Sequence, residues 1–183
     1  MVPEHSQHSI FTFKHDKSVS GFHVVKGVSR VDDCMIAESG DKGVIVVDLD
    51  KKRVLKVNEG DLSGVKHNEI VDLNEDGDRW EGDVLNGKPC GWGVMYDKDN
   101  RMMYEGFRMG DVNMCYGRKY YSDISRVEYE GEWCEGSRWG RGVLFDRNGV
   151  VVYDGEWLND APLEKAVEIG SASVLLHNHI EEL

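Results

Sequence analysis

The chain has 183 residues, 40% hydrophobic and 31% charged, with 22 Lys and Arg against 34 Asp and Glu for a net charge of −12. These proportions exclude wholesale disorder, and the charge excludes broad nucleic-acid binding, which needs a basic face. The same charge disfavours adhesion to anionic membranes, and no apolar run approaches the roughly 20 residues that span a bilayer.

Residues 1–9 are polar, carry His5 and His8, and read as a flexible terminus. The opening residues lack the basic and apolar regions of a secretory signal, so none is expected. Residues 10–79 read as β-rich. Val19–Val31 is a hairpin candidate, and Gly43–Val57 looks like two strands around Asp50, Lys51 and Lys52. The unbroken apolar run Val44–Val47 suggests a strand buried on both faces or packed against another layer. This segment is either a small β-domain or, the reading favoured here, an extension of the sheet that follows, with eroded repeats. NEGDLSG at 58–64 is a candidate degenerate copy.

From residue 80 to residue 162 an aromatic–acid–Gly triplet recurs: Trp80-Glu81-Gly82, Tyr104-Glu105-Gly106, Tyr129-Glu130-Gly131 and Tyr153-Asp154-Gly155. The period is 24 or 25 residues. The first and third copies continue into matching glycine grids, Gly87, Gly91, Gly93 and Gly136, Gly140, Gly142, and close on the acidic turns 97–100 and 146–149. The second copy is degenerate and the fourth is cut short. Side chains alternate faces along a strand, so Tyr129, Gly131 and Trp133 share one face, and Glu130 and Glu132 the other. A glycine opposite a large ring leaves room for the ring of a neighbouring copy. One hairpin cannot bury its rings alone, so the copies must stack in a row. The expected fold is all-β: an elongated, twisted antiparallel sheet of stacked hairpins behind a β-rich N-terminal extension.

The pattern Y-E-G-x-W-x-x-G-x-x-x-G-x-G with this period resembles the MORN repeat. Tyr129–Val152 matches it almost completely. Trp80–Met103 matches with Trp80 and Val84 in the usual Tyr and Trp places. The match is partial over 104–128 and a half copy over Tyr153–Asp160. The resemblance implies a non-catalytic scaffold that binds a partner protein or a second copy of itself. It also implies phospholipid contact as an alternative, or a targeting role for an enzyme domain beyond Leu183.

Beyond the repeats, Pro162–Ile169 is a short helix candidate. Residues 163–183 form a C-terminal segment that ends in the strand-like SVLLHNHIEEL and could open a further domain. Cys34, Cys90, Cys115 and Cys134 have no C-x-x-C spacing and are expected as reduced thiols in a cytoplasmic protein.

Four constellations are candidate sites. Asp72, Asn74, Asp76, Asp78 and Asp83 have the spacing of a calcium loop. The last position lacks the usual glutamate and strands flank the loop, so an acidic hairpin turn is the plainer expectation. Tyr129, Trp133, Tyr153 and Trp157 form a ring row, read first as packing and, where left open, as an interaction strip. Arg138 and Arg141 form a local basic pair that could contact lipid. His177 and His179 share one strand face without an evident third metal ligand. No phosphate-binding loop or nucleophile–histidine–carboxylate motif stands out, so no enzyme activity and no cofactor are expected.

Overall fold

In the computed structural model, residues 8–9, 12–13, 24–25, 27–39 and 43–163 are described. The strands run in chain order. Three short ones come first: β1 (His8–Ser9), β2 (Thr12–Phe13) and β3 (Val24–Val25). Then follow β4 (Gly27–Val31), β5 (Cys34–Ser39), β6 (Gly43–Asp48) and β7 (Arg53–Val57). The repeat region holds β8 (Lys66–Asp72), β9 (Arg79–Leu85), β10 (Lys88–Tyr96), β11 (Met102–Met109), β12 (Val112–Tyr121), β13 (Arg126–Cys134), β14 (Ser137–Phe145), β15 (Val151–Leu158) and β16 (Ala161–Pro162). The fold is all-β and antiparallel throughout. β8 to β16 form one nine-stranded meander, β1, β4, β5, β6 and β7 form a five-stranded sheet, and β2 pairs with β3.

The long sheet is organised by glycine. Gly82, Gly93, Gly106, Gly117, Gly131, Gly142 and Gly155 are successive register partners across β9 to β15, so a glycine stripe crosses seven strands. Rings lie on that stripe. A Cβ at Gly93 would run into Trp80, one at Gly117 into Tyr104, and one at Gly142 into Tyr129. Trp80, Tyr104 and Tyr129 therefore each cover a glycine on the return strand of their own copy, where a ring of a neighbouring copy was expected. Neighbouring copies meet through the rings themselves. Trp133 packs edge-to-face on Tyr129 at 5.1 Å and on Tyr104 at 5.8 Å, and Trp157 on Tyr153 and Tyr129, both at 5.3 Å. Such pairs add to the burial of large apolar surfaces.

The polar atoms of the rings are used in step with the repeat. The hydroxyls of Tyr104, Tyr129 and Tyr153 donate to the carbonyls of Phe107, Glu132 and Glu156, three residues on, at 2.7, 2.8 and 2.9 Å. The Trp80 indole N–H donates to Asp83 O at 3.0 Å in the same way. The Trp133 and Trp157 indoles instead donate across the sheet to Gly117 O and Gly142 O, at 3.1 and 3.0 Å. A buried ring with a satisfied polar atom loses nothing by leaving water.

Within the segment 10–79, β8 does extend the long sheet, but β4 to β7 are a separate sheet laid on its other face. Val28, Met35, Ala37, Ile45 and Val47 of β4 to β6 pack against Cys90, Phe107, Met109, Cys115, Cys134, Trp139 and Leu158 of the long sheet. Ile45 and Val47 are buried while Val44 is exposed, so the apolar run seals an inter-sheet layer with one side only. β4 touches β13 and β14, β5 touches β12, and β7 touches β10. The long sheet begins at Lys66, ahead of the repeat region that the sequence places from residue 80. The segment 58–64 is loop, and β8 is the return strand that precedes the first full copy. The helix candidate Pro162–Ile169, apart from its first two residues, lies outside the described residues, as do His177, His179 and the rest of the C-terminal segment. Among the described residues no helix is long and apolar enough to cross a membrane.

Candidate functional site

The acidic stretch that suggested calcium is a repeat turn. Asn74 Oδ1 accepts the N–H groups of Asp76 and Asp78 at 3.1 and 3.2 Å. Asp97 Oδ1 accepts those of Asp99 and Arg101, both at 2.9 Å, and Asp146 Oδ1 those of Asn148 and Val150 at 2.8 and 3.0 Å. Each turn needs one left-handed residue, supplied by Gly77, Asn100 and Gly149. Asn74 is thus committed to closing a hairpin, and its amide also holds Asp78 Oδ2 at 3.0 Å. The fifth candidate, Asp83, is not brought to the loop. It is buried on the opposite face of β9, where His67 Nδ1 lies 2.6 Å and Arg53 Nη1 3.4 Å from its Oδ1. A Cβ at position 91 would crowd that carboxylate at 2.8 Å, so Gly91 makes room for it. Among the described residues no group of three or more His, Cys, Asp or Glu is arranged to hold a metal.

Arg138 and Arg141 are not brought together either. Arg138 lies on the ring face, 4.4 Å over Trp157, and donates to Asp160 Oδ1 at 3.2 Å and Asp160 O at 3.0 Å. Arg141 points to the other face, 3.8 Å from Asp154 and 3.9 Å from Glu156. The four rings Tyr129, Trp133, Tyr153 and Trp157 are buried, so their faces are core and do not form an open strip.

The face that carries Glu130 and Glu132 forms part of the inter-sheet layer. Glu132 lies there, accepting the backbone N–H of Arg141 at 2.8 Å. Burial pushes its carboxyl up to about 7, the Glu156 charge adds to the rise, and Arg30 of the small sheet and Arg141 oppose it. Beside it the Tyr116 hydroxyl donates to Glu130 Oε1 at 2.6 Å, and Arg118 pairs with the same carboxylate at 3.1 Å.

A concave feature of the ring face lies near the free edge of the long sheet. It is a cleft of about 630 Å³, walled by Val71, Leu73, Pro89 and Met95 and floored by Arg108. Arg108 stands four residues after Tyr104, where Trp133 and Trp157 stand after Tyr129 and Tyr153. It is the cation in a row of rings. Its guanidinium donates to Gly110 O at 3.2 Å, Asp111 O at 2.7 Å and Asn113 Oδ1 at 3.1 Å, and touches the Met95 sulfur at 3.4 Å. All four acceptors are neutral. Partial burial pulls its pKa below the usual arginine value. β8 borders the cleft, and among the described residues no strand pairs with the outer edge of β8. Ile70, in the middle of that edge strand, is 66% exposed.

Sequence reasoning did not single out Arg108, the β8 edge or the Asp83 cluster. The first two were signalled: YEGFRMG set against YEGEWCEG puts Arg under Trp, and Asn74, Asp97 and Asp146 lie 23 and 49 residues apart. The Asp83 cluster, which joins β7 to β8 and β9, had no signal in the chain.

No family model matches the chain, and no curated protein matches it.

Proposed function

We propose that this chain is a non-catalytic protein-interaction module built of MORN-type hairpins, which holds a partner polypeptide along the β8 edge of its long sheet. The observation that carries this reading is the unpaired edge of β8, with Ile70 exposed in its middle and an apolar-walled cleft beside it. An open strand edge is a ready template for an added strand, and native proteins blunt such edges with proline, charge or a cover. Here Lys66, His67 and Glu69 lie along the strand and Asp72 ends it, but Ile70-Val71 stand side by side between Glu69 and Asp72. The regular hairpins support the MORN assignment, and four unbridged thiols support a cytoplasmic location. Arg138 and Arg141, on opposite faces and each held by carboxylates, offer no joint lipid site.

A photo-crosslinking amino acid at position 70, introduced into the full chain in its native cells, tests the reading. Val150 is exposed at a turn and serves as the comparison position. A discrete adduct from position 70, competed away by unlabelled protein and absent from position 150, is the expected result. An adduct of the chain with itself would identify the partner as a second copy. Equal, diffuse labelling from both positions would overturn the reading.

A further inference from the structure

The cleft and its equivalent one repeat further on differ in a way that suggests what the cleft takes. There, Trp133, Lys119 and Gly136 stand in the places of Arg108, Met95 and Gly110, and the hollow is about 230 Å³ against about 630 Å³. Three physical differences separate them. An arginine replaces the indole, a methionine replaces the lysine, and among the described residues no strand lies beyond β8 to narrow the opening. The larger hollow is of the size that binds ligand groups.

Its chemistry favours a neutral ring over an anion. Lys88 and Arg108 line it, but so do Asp72, Asp78 and Asp111, so the lining does not favour an anion. What remains is an apolar wall of Val71, Leu73 and Met95 above a guanidinium whose hydrogen bonds all go to neutral acceptors. A guanidinium plane presents a surface on which aromatic rings stack. The molecule uses that contact elsewhere: Arg138 lies 4.4 Å over Trp157 and Arg79 4.5 Å over Tyr96. Methionine sulfur is also a favourable neighbour for a ring.

We propose that the cleft receives an aromatic side chain of the bound polypeptide, laid on the Arg108 guanidinium against Met95, so that the partner extends the row of rings that the chain's own tryptophans leave off at Tyr104. This rests on the interaction reading above and names its specificity: beyond the segment paired with β8, the partner carries a Phe, Tyr or Trp that reaches across the ring face into the cleft. Strand addition supplies affinity through the backbone, and the ring pocket selects the sequence.

The test uses the full, isotope-labelled chain and three probes: N-acetyltryptophanamide, N-acetylphenylalaninamide and N-acetylleucinamide. The two aromatic amides should saturate, at least fivefold tighter than the leucine amide. They should move the Arg108 Nε–Hε and Met95 methyl resonances and leave those of Trp92, on the other face, unchanged. Arg108→Trp, which puts an indole where Trp133 and Trp157 already fit, should abolish saturation in a protein that still melts cooperatively. Should that variant not fold, Arg108→Lys keeps the charge without the plane and should weaken the aromatic amides several-fold. Equal binding of leucine amide, shifts that map away from the cleft, or unaltered binding in the folded variants would overturn the proposal. Aromatic binding in the cleft with no adduct from position 70 would keep the ring pocket and sink the interaction reading. An adduct from position 70 that survives Arg108→Trp would do the reverse.

Discussion

On the ring face of the long sheet, Tyr104, Trp133, Tyr129, Trp157 and Tyr153 touch in a chain, each ring reaching its own copy or the next. On the opposite face the buried side chains of the long sheet meet Val28, Met35, Ala37, Ile45 and Val47 from a sheet far earlier in the chain. A ring with a glycine beneath it can seal its own face one copy at a time. The other face carries Glu130, Glu132 and Glu156 between its apolar side chains, and no repeated ring closes it, so it needs a second layer. The first arrangement is local and periodic, the second long-range and particular to this chain.

Four predictions can break or sharpen that contrast. Trp133→Ala should have the largest effect, because it removes two ring contacts and the bond to Gly117 O. The expected loss is about 4 kcal/mol in urea denaturation. A loss below about 1 kcal/mol would mean that the ring row does not seal its face.

The opposite face should respond to pH. The folded protein keeps a proton on Glu132 between about pH 4.5 and about 7 that the unfolded chain has released. Stability should therefore fall as pH rises through that window, by up to about 3 kcal/mol, and level off above it. Glu132→Gln should flatten this part of the profile. The measurement is the difference between the two stability curves, and parallel curves would place Glu132 in water.

Gly142→Ala puts a methyl group into the Tyr129 ring. Overpacking should cost about 2 kcal/mol. The same change at Gly87, which has open space around it but a φ of 75°, should cost less, about 1 kcal/mol, through backbone strain alone. Equal melting temperatures for the two variants would show that the ring does not rest on the glycine stripe.

Tyr129→Phe should have the smallest effect, about 1 kcal/mol, since it leaves the ring in place and removes only the bond to Glu132 O. A cost like that of Trp133→Ala would mean that the hydroxyl, more than ring packing, holds the row.

The two faces were unequally legible. The hairpins over 80–162 could be read because the partners of each ring lie inside one repeat, as Tyr129 over Gly142, or one repeat away, as Trp133 on Tyr104. Alternation then assigned faces correctly for Tyr129, Gly131 and Trp133. It could not say that Glu132 would be covered. Applied to Arg138 and Arg141 it would have separated them, since an odd spacing of three puts two side chains of one strand on opposite faces, as the structure has them; reading them as one local pair overlooked that. The calcium-like spacing misled because hairpin turns and metal loops draw on the same residues, Asp, Asn and Gly, for related reasons: short side chains that accept backbone N–H groups and tolerate a left-handed backbone.

The sequence by itself determined the repeat, its period, the all-β class and which residues form the ring row, because these depend on contacts that recur at a fixed separation. Only the tertiary structure decided that β4 to β7 form a second sheet, that Glu132 and Asp83 lie beneath or beside it, and that among the described residues no strand pairs with the outer edge of β8. Those outcomes depend on which surfaces of distant segments fit together, and a contact made once, between residues with no fixed spacing, leaves no period in the chain to read.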